Sequence, residues 1–256
     1  MLATNQIKER ITSTAQQSAV KSVAGPDPSW KSLYRAGGIS ALLYVILSLA
    51  VPTAQVLTAQ YDFKMDGPTL LQFIVSNKLW WIILQTLVLG SSILAIVSFV
   101  ALFVALKHLD KSYAAIGTVV AITCHLLFLA YYPVLLGLVY LSDQYVAATD
   151  TQRVVFATAA ESLIAMNNAF NPLYESLFGI SILILSLVML KGLFHKSVAY
   201  LGIATCVAAF IALALWPIVG VAYFWWWLLF VIWFIAVGWK LYSLGSNSLP
   251  EANASL

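Results

Sequence analysis

Charged residues are scarce in this sequence. They make up 9% of the 256 residues, whereas hydrophobic residues make up 62% and the mean hydropathy is +0.91. About a quarter of the residues in a soluble domain are charged, so this composition predicts an integral membrane protein. The net charge of +3 is small and its Lys and Arg residues are scattered, which argues against the basic patch of a nucleic-acid-binding protein.

Residues and motifs that carry catalysis are also few. Both cysteines, Cys124 and Cys206, fall in apolar runs, where a thiol usually behaves as a small buried hydrophobe. The sequence has no HExxH, GxSxG, GxxxxGK[ST] or CxxC motif. A bis-histidine haem needs two histidines inside the membrane, and only His125 lies in a predicted span. We therefore predict no cofactor and no metal, and favour a protein that is not an enzyme.

Long apolar runs are abundant. A helix requires about 20 apolar residues to cross the hydrocarbon, and four charge-free windows predict five spans, because Pro217 and Gly220 divide the last window into two. One further run, which contains the single charge of Glu175, predicts a sixth. The fold class is thus an all-α polytopic bundle, with spans at about 36–60, 79–106, 113–142, 171–191, 197–216 and 223–243.

The spans belong to one predicted domain, residues 27–243, with polar tails at 1–26 and 244–256. Asp27 is followed by proline, which is a typical start of a helix, and predicts a short interfacial helix before the first span. Residues 154–166 mix small, apolar and polar side chains at helical spacing. They predict either a helix that lies flat on the membrane or an outward extension of the fourth span.

The positions of Lys and Arg predict the orientation. Most of them precede the first span, follow the last, or lie in the loops between spans two and three and between spans four and five. The opposite face has only Lys64, Lys78 and Arg153, among several aspartates. The positive-inside rule therefore predicts a multi-pass protein of the cell membrane with both termini in the cytoplasm. The aromatic belt would then include residues 225–227 outside and Trp239 inside.

Polar side chains inside the fourth span are the strongest functional signal. Glu161, Asn168 and Glu175 are spaced by seven residues and would share one helix face, with Asn171 in the same sector. At about 1.5 Å per residue, Glu175 lies about 24 Å from the inner surface, within the hydrocarbon. A carboxylate there is costly and usually marks a functional site.

His125 is the ionisable residue of the third span, at about 21 Å from the same surface. Because the two depths nearly agree, we expect Glu175 and His125 to face each other or a shared cavity. A structural interpretation is also open. Glu175 would then be protonated, or bonded to carbonyls freed by Pro172, and His125 would be a satisfied interior residue.

Three segments carry a resemblance to known proteins: YRAGG at 34–38, AMNNAFNPLYESLFGISILILSLVMLKGLF at 165–194, and AYLGIATCVAAF at 199–210. In their order the chain resembles an uncharacterised family of small six-helix bacterial and archaeal membrane proteins that carry a domain of unknown function. The resemblance covers about residues 33–242. It implies the fold and the location in a membrane, and it implies no activity.

Two functional classes remain open from the sequence. The first is a small transporter-like, channel-like or ligand-binding bundle with a polar site near Glu175, His125, Asn168 and Asn171, in the outer half of spans three and four. The second is a non-catalytic structural or accessory protein, which would bind partner membrane subunits or a second copy of itself through its lipid-facing helices. In both classes the lipid bilayer is a partner, and nucleic acid is not.

Overall fold

The computed structural model describes residues 25–57, 65–219 and 225–246. Within these ranges the chain forms no strand, which confirms the predicted all-α fold. Most of the two predicted tails and residues 58–60 of the first predicted span lie outside the described residues. The α-helices are α1 (Lys31–Leu57), α2 (Gly67–Ser76), α3 (Lys78–Leu106), α4 (Lys111–Tyr131), α5 (Val134–Ala147), α6 (Asp150–Met189), α7 (Lys196–Val219) and α8 (Trp225–Ser246).

Six helical segments are long and apolar enough to cross a membrane. They are α1, α3, the pair α4 and α5, α6, α7 and α8, in agreement with the six runs found in the sequence. Pro133 separates α4 from α5, because a proline has no N–H to donate and its ring excludes the next turn. α7 continues past the predicted end at 216 to Val219.

The first span begins as its sequence predicts. The Asp27 carboxylate accepts a hydrogen bond from the Ser29 N–H at 2.9 Å, and this contact lowers the pKa of Asp27. A single 3₁₀ turn, Pro28–Trp30, then leads directly into α1. The short helix that the sequence predicts before the first span is therefore a single 3₁₀ turn, continuous with α1.

α6 is much longer than the predicted fourth span. It runs without a break for 40 residues, about 60 Å, so residues 154–166 extend the span outward. Its start is fixed by Thr149, whose N–H donates to the Gln152 side chain at 3.1 Å. Asp150 in the first turn also complements the helix dipole.

The six long segments form a closed ring. Each segment packs mainly against the next one around the ring. The order is α1, α3, α4, α6, α7 and α8, and α8 packs against α1 again. We call the end of the ring with the loops 107–110 and 190–195 the inner end, and the opposite one the outer end. At the inner end Lys191 Nζ lies 2.5 Å from the carboxylate of Asp110, which joins these two loops.

The ring is closed by glycines between its first and last helices. A methyl group added at Gly38 on α1 would lie 2.5 Å from the backbone nitrogen of Tyr242 and 2.7 Å from the carbonyl oxygen of Gly238, both on α8. One added at Gly238 would lie 2.9 Å from the Ala41 side chain. The two backbones therefore touch, as is usual where small residues let membrane helices approach closely.

Two separate groups of buried side chains fill the molecule. The main core occupies the ring itself, with members on all six segments. The second group, which we call the outer cluster, joins α2, the start of α3, α5 and the first turns of α6. Its buried members are Leu70, Leu71, Ile74, Trp81, Leu135, Leu138, Tyr145, Ala157, Ala160 and Ile164.

The helix α2 was not predicted from the sequence. It has ten residues, which is too few to cross a membrane, and one of its faces is polar. Its N-terminus is held by two carboxylates: Asp66 accepts from the Thr69 N–H at 3.0 Å, and Glu161 on α6 accepts from the Gly67 N–H at 2.9 Å. The apolar face of α2 thereby covers α5 and α6.

Substitution of Gly38 by alanine is expected to destabilise the ring. The added methyl group would force α1 and α8 apart, at a cost of about 1–3 kcal/mol. The matched control is Gly90→Ala on α3, since a methyl group there meets no atom within 4 Å. Thermal unfolding of the purified variants in detergent measures both effects. Equal unfolding temperatures for the two variants would contradict the described closure.

Candidate functional site

Aromatic rings from five helices meet on the axis of the ring. Their centroids are mostly 5 to 6 Å apart, the range in which aromatic pairs attract one another. We call this group the axial aromatic cluster. Its members are Tyr44 on α1, Phe99 on α3, His125 on α4, Tyr174 and Phe178 on α6, and Phe230 and Phe234 on α8.

His125 lies at the centre of this cluster. Its side chain has no exposed surface, and the rings of Phe99, Tyr174 and Phe178 lie 5.5 to 6.0 Å from its own. Neither Nδ1 nor Nε2 has a hydrogen-bond partner among the described residues. A buried polar atom without a partner costs about 1–3 kcal/mol and requires an explanation. His125 is therefore not the satisfied interior residue of the structural interpretation.

The expected pair of Glu175 and His125 is not formed. Both imidazole nitrogens lack a partner, and Glu175 makes no hydrogen bond or ion pair with any described residue. The physical reason is the helical rotation of about 100° per residue. Tyr174 and Phe178 occupy the sector of α6 that faces His125, and Glu175 lies one residue further around the helix. Glu175 is nevertheless partly buried.

The remaining predicted site residues also lie outside the buried face of α6. Asn168 is exposed and Asn171 is partly buried, whereas the neighbouring Asn167 is 2% exposed. Glu161, the outermost member of the predicted stripe, binds the N-terminus of α2. The four candidates therefore do not form one site, and Asn167 is the asparagine that α6 directs into the protein.

A second set of unpartnered polar atoms lies between the main core and the outer cluster. Gln85 on α3 is 1% exposed and its Oε1 has no hydrogen-bond partner, and the buried hydroxyl of Tyr131 on α4 has none either. Both residues lie about 30 Å from the inner ends of their helices. At about 33 Å, Asn167 has a similar depth on α6. We call Gln85, Tyr131 and Asn167 the polar layer.

The register of the helices supports this grouping. Trp81 Nε1–H donates to the Leu135 carbonyl oxygen at 3.2 Å, which aligns the start of α3 with the start of α5. Since α3 and α4 are antiparallel, one helical turn inward from this contact places Gln85 opposite Tyr131. On the other side, the Tyr131 ring stacks on Phe170 of α6 at 4.5 Å, one turn from Asn167.

Helix-breaking residues lie near the polar layer on three helices. α4 ends at Tyr131, two residues before Pro133, α6 contains Pro172, and α3 has the sequence Gly-Ser-Ser at 90–92. Prolines and Gly/Ser pairs are the usual sites of helix kinks. The three segments that join the outer cluster to the main core therefore all contain such residues.

No family model, curated protein or solved structure matches this chain. Only the residues of this chain therefore indicate its function. In the part of the chain that the structure describes, no three His, Cys, Asp or Glu side chains are grouped as a metal site would require. The buried polar atoms of His125, Gln85 and Tyr131 are hydrogen-bonding groups on the adjacent helices α3 and α4, and a molecule that carries both donors and acceptors would satisfy them.

Sequence reasoning missed Gln85, Tyr131 and Asn167. Gln85 and Tyr131 are uncharged residues in long apolar helices, and a single sequence does not show which helices face each other. The spacing of seven residues between Glu161, Asn168 and Glu175 predicts Asn168, and not its neighbour Asn167, as the site residue. The one available signal was an amide in a transmembrane helix, which is expensive unless it faces the interior of the protein.

Substitution of His125 by phenylalanine is expected to stabilise the protein. The new ring has a similar shape, fits among its aromatic neighbours and removes two unpartnered nitrogens, which is worth about 1–3 kcal/mol. The control is His108→Phe in the exposed inner loop, which leaves the core unchanged. Thermal unfolding in detergent measures the difference. A large loss of stability in His125→Phe alone would show that the imidazole has a polar partner.

Proposed function

We propose that this multi-pass membrane protein binds a small polar or amphiphilic molecule in the outer half of its helical ring, as a ligand-binding or transporter-like bundle. The observation that carries the proposal is the set of buried, unpartnered polar atoms of His125, Gln85 and Tyr131. They lie on adjacent helices, between about 21 and 31 Å from the inner ends. The proposed site therefore includes one predicted residue, His125, and two that were not predicted.

The energetics favour this explanation over a purely structural one. An apolar side chain of similar size would fill each position without the desolvation penalty of about 1–3 kcal/mol. A chain that keeps three such groups on the adjacent helices α3 and α4 breaks a local rule of stability, which natural proteins do at functional sites. A bound molecule that supplies a donor to Gln85 Oε1 and a polar partner to His125 would recover this penalty.

The shape of the protein also suits a site at this depth. The main core fills the inner part of the ring, and the outer cluster packs around α2 and α5. The polar layer lies between these two apolar regions, next to the kink-prone residues of α3, α4 and α6. Bending there would admit a molecule from the outer end while the inner part stays packed.

We propose that both termini are cytoplasmic, so that the inner end faces the cytoplasm. Lys and Arg residues are concentrated at the inner end, as the positive-inside rule requires. At the outer end, Lys78 and Arg153 are offset by Asp143 and Asp150. The resemblance to the uncharacterised six-helix family, which implies the same location in a membrane, remains a proposal.

A membrane-impermeant maleimide tests this orientation. Cysteine introduced at the exposed Thr151 is expected to react in intact cells, and cysteine at the exposed Ser197 only after the membrane is permeabilised. The natural Cys124 and Cys206 are both buried, so the unsubstituted protein is the control for background labelling. Labelling of both new cysteines from the same side would contradict six crossings. Labelling in the reverse order would overturn the orientation only.

Ligand retention tests the binding proposal. The protein is purified from membranes in mild detergent, extracted with solvent, and the extract is analysed by mass spectrometry. We expect a small molecule that is retained by the natural protein and strongly depleted in Gln85→Leu, because Leu removes the acceptor. The matched control is Gln72→Leu, since Gln72 is exposed on α2.

Two outcomes would contradict the binding proposal. One is the same set of retained molecules in the natural protein, Gln85→Leu and Gln72→Leu. The other is the recovery of a stoichiometric membrane-protein partner with no small molecule, which would favour the accessory-subunit alternative. Circular dichroism of Gln85→Leu confirms that loss of a ligand is not loss of the fold.

A further inference from the structure

Cations are paired differently at the two ends of the ring. At the outer end, Lys78 Nζ lies 2.6 Å from the Asp143 carboxylate and an Arg153 nitrogen lies 3.4 Å from that of Asp150. Every described cation there thus has an acidic partner. At the inner end, only Lys191 forms such a pair, with Asp110.

Most inner cations therefore lack a carboxylate among the described residues. Lys107 is a partial exception, because its Nζ lies 5.1 Å from the centroid of the Trp30 ring and its charge lowers the pKa of Asp27. The inner cations that form no ion pair with a described carboxylate are Lys31, Arg35, Lys111, Lys196 and Lys240. Among the described residues they form a rim of positive charge without paired carboxylates at the inner end of the ring.

Two of these cations, Lys31 and Arg35, lie where α1 contacts α8. The aliphatic part of Arg35 packs on Gly245, since a methyl group at Gly245 would collide with it. Arg35 is exposed, and Lys31 lies one helical turn before it on the same face. The guanidinium is thereby held at the seam of the two helices. Lys240 lies on the other side of α8, because the residues of α8 that face α1 are Gly238, Tyr242 and Gly245.

An apolar surface continues from these cations along both helices. Trp239 is 66% exposed, and its ring lies 6.4 Å from that of Tyr242, as in the aromatic belts at the membrane interface. Further along the seam, Ile39 and Ile235 are both exposed. A molecule that fits this surface has a negative head and an apolar chain.

We propose that the inner end of the α1–α8 seam binds an anionic phospholipid. The Arg35 guanidinium would bind the phosphate, for which its planar donors are well suited. Lys31 adds positive charge one helical turn away on α1, and Trp239 packs along the upper acyl chain. A soluble anion would use only the cations, whereas a lipid also covers the apolar surface. This site is separate from the polar layer, so it does not depend on the proposed ligand.

Lipid titration of the purified protein tests the proposal. Phosphatidylglycerol and phosphatidylcholine with identical acyl chains are added to delipidated protein in neutral detergent. Native mass spectrometry measures the bound lipid, and thermal unfolding measures the stabilisation. We expect phosphatidylglycerol to bind more tightly than phosphatidylcholine. Each basic residue near a membrane surface contributes about 1 kcal/mol, so binding should weaken about fivefold in Arg35→Gln and in Lys31→Gln.

Controls separate a lipid site from other causes. Lys78→Gln at the outer end is expected to bind phosphatidylglycerol as the natural protein does. Lys31→Gln keeps the test decisive if Arg35→Gln fails to fold, because only the backbone of Lys31 lies against Gly245. Equal binding of the two lipids, or unchanged binding in both inner variants, would overturn the proposal. Stabilisation of the same size by inorganic phosphate alone would overturn it as well, since the site would then bind a soluble anion.

Discussion

The backbone contact between α1 and α8 is the interaction on which this structure depends. In a membrane the lipid tails are as apolar as the helices, so helices associate through close packing and hydrogen bonds. Gly38 and Gly238 let the first and last spans touch, and the Ser98 hydroxyl donates to the Gly37 carbonyl at 3.1 Å, which ties α1 to α3. With α1 fixed on both sides, the six segments close into a ring.

A closed ring creates an axis, and the side chains on it determine what the protein can do. Aromatic rings fill most of that axis, and they need no polar partners to pack well. His125 is different, because its nitrogens are surrounded by those rings and form no hydrogen bond with any described residue. Further outward, Gln85 and Tyr131 also have buried polar atoms without a hydrogen-bond partner among the described residues. Because such polar atoms lower the stability of the fold, we interpret them as part of a ligand-binding site.

The outer cluster packs at the outer side of the proposed site. α2 covers α5 and α6, and its N-terminus is fixed by Glu161, so this carboxylate of the predicted stripe has a structural role. Pro133 and Pro172 lie between the outer cluster and the main core. The inner end carries the uncompensated cations, which suit the anionic surface of a membrane.

Much of the fold could be predicted from the sequence, because hydropathy alone identifies helices that are long enough to cross a membrane. The start of the first span at Asp27 was also correct, since a cap is a local feature. The order of helices around the ring was not predictable, because it depends on contacts between distant segments. For the same reason the sequence placed Glu175 opposite His125: equal depth is readable from one chain, whereas rotation about the helix axis is not. The predicted rotation of α6 was wrong by one residue. Tyr174, and not Glu175, faces His125, and Asn167, and not Asn168, is buried.

An experimental density map of the protein purified from its membrane and placed in lipid nanodiscs tests the central claim most directly. Our account predicts density that belongs to no protein atom, within hydrogen-bonding distance of His125 or of the Gln85 carboxamide, in the outer half of the ring. It would be contradicted by a map in which protein side chains satisfy both His125 nitrogens and the Gln85 oxygen and leave no further density there.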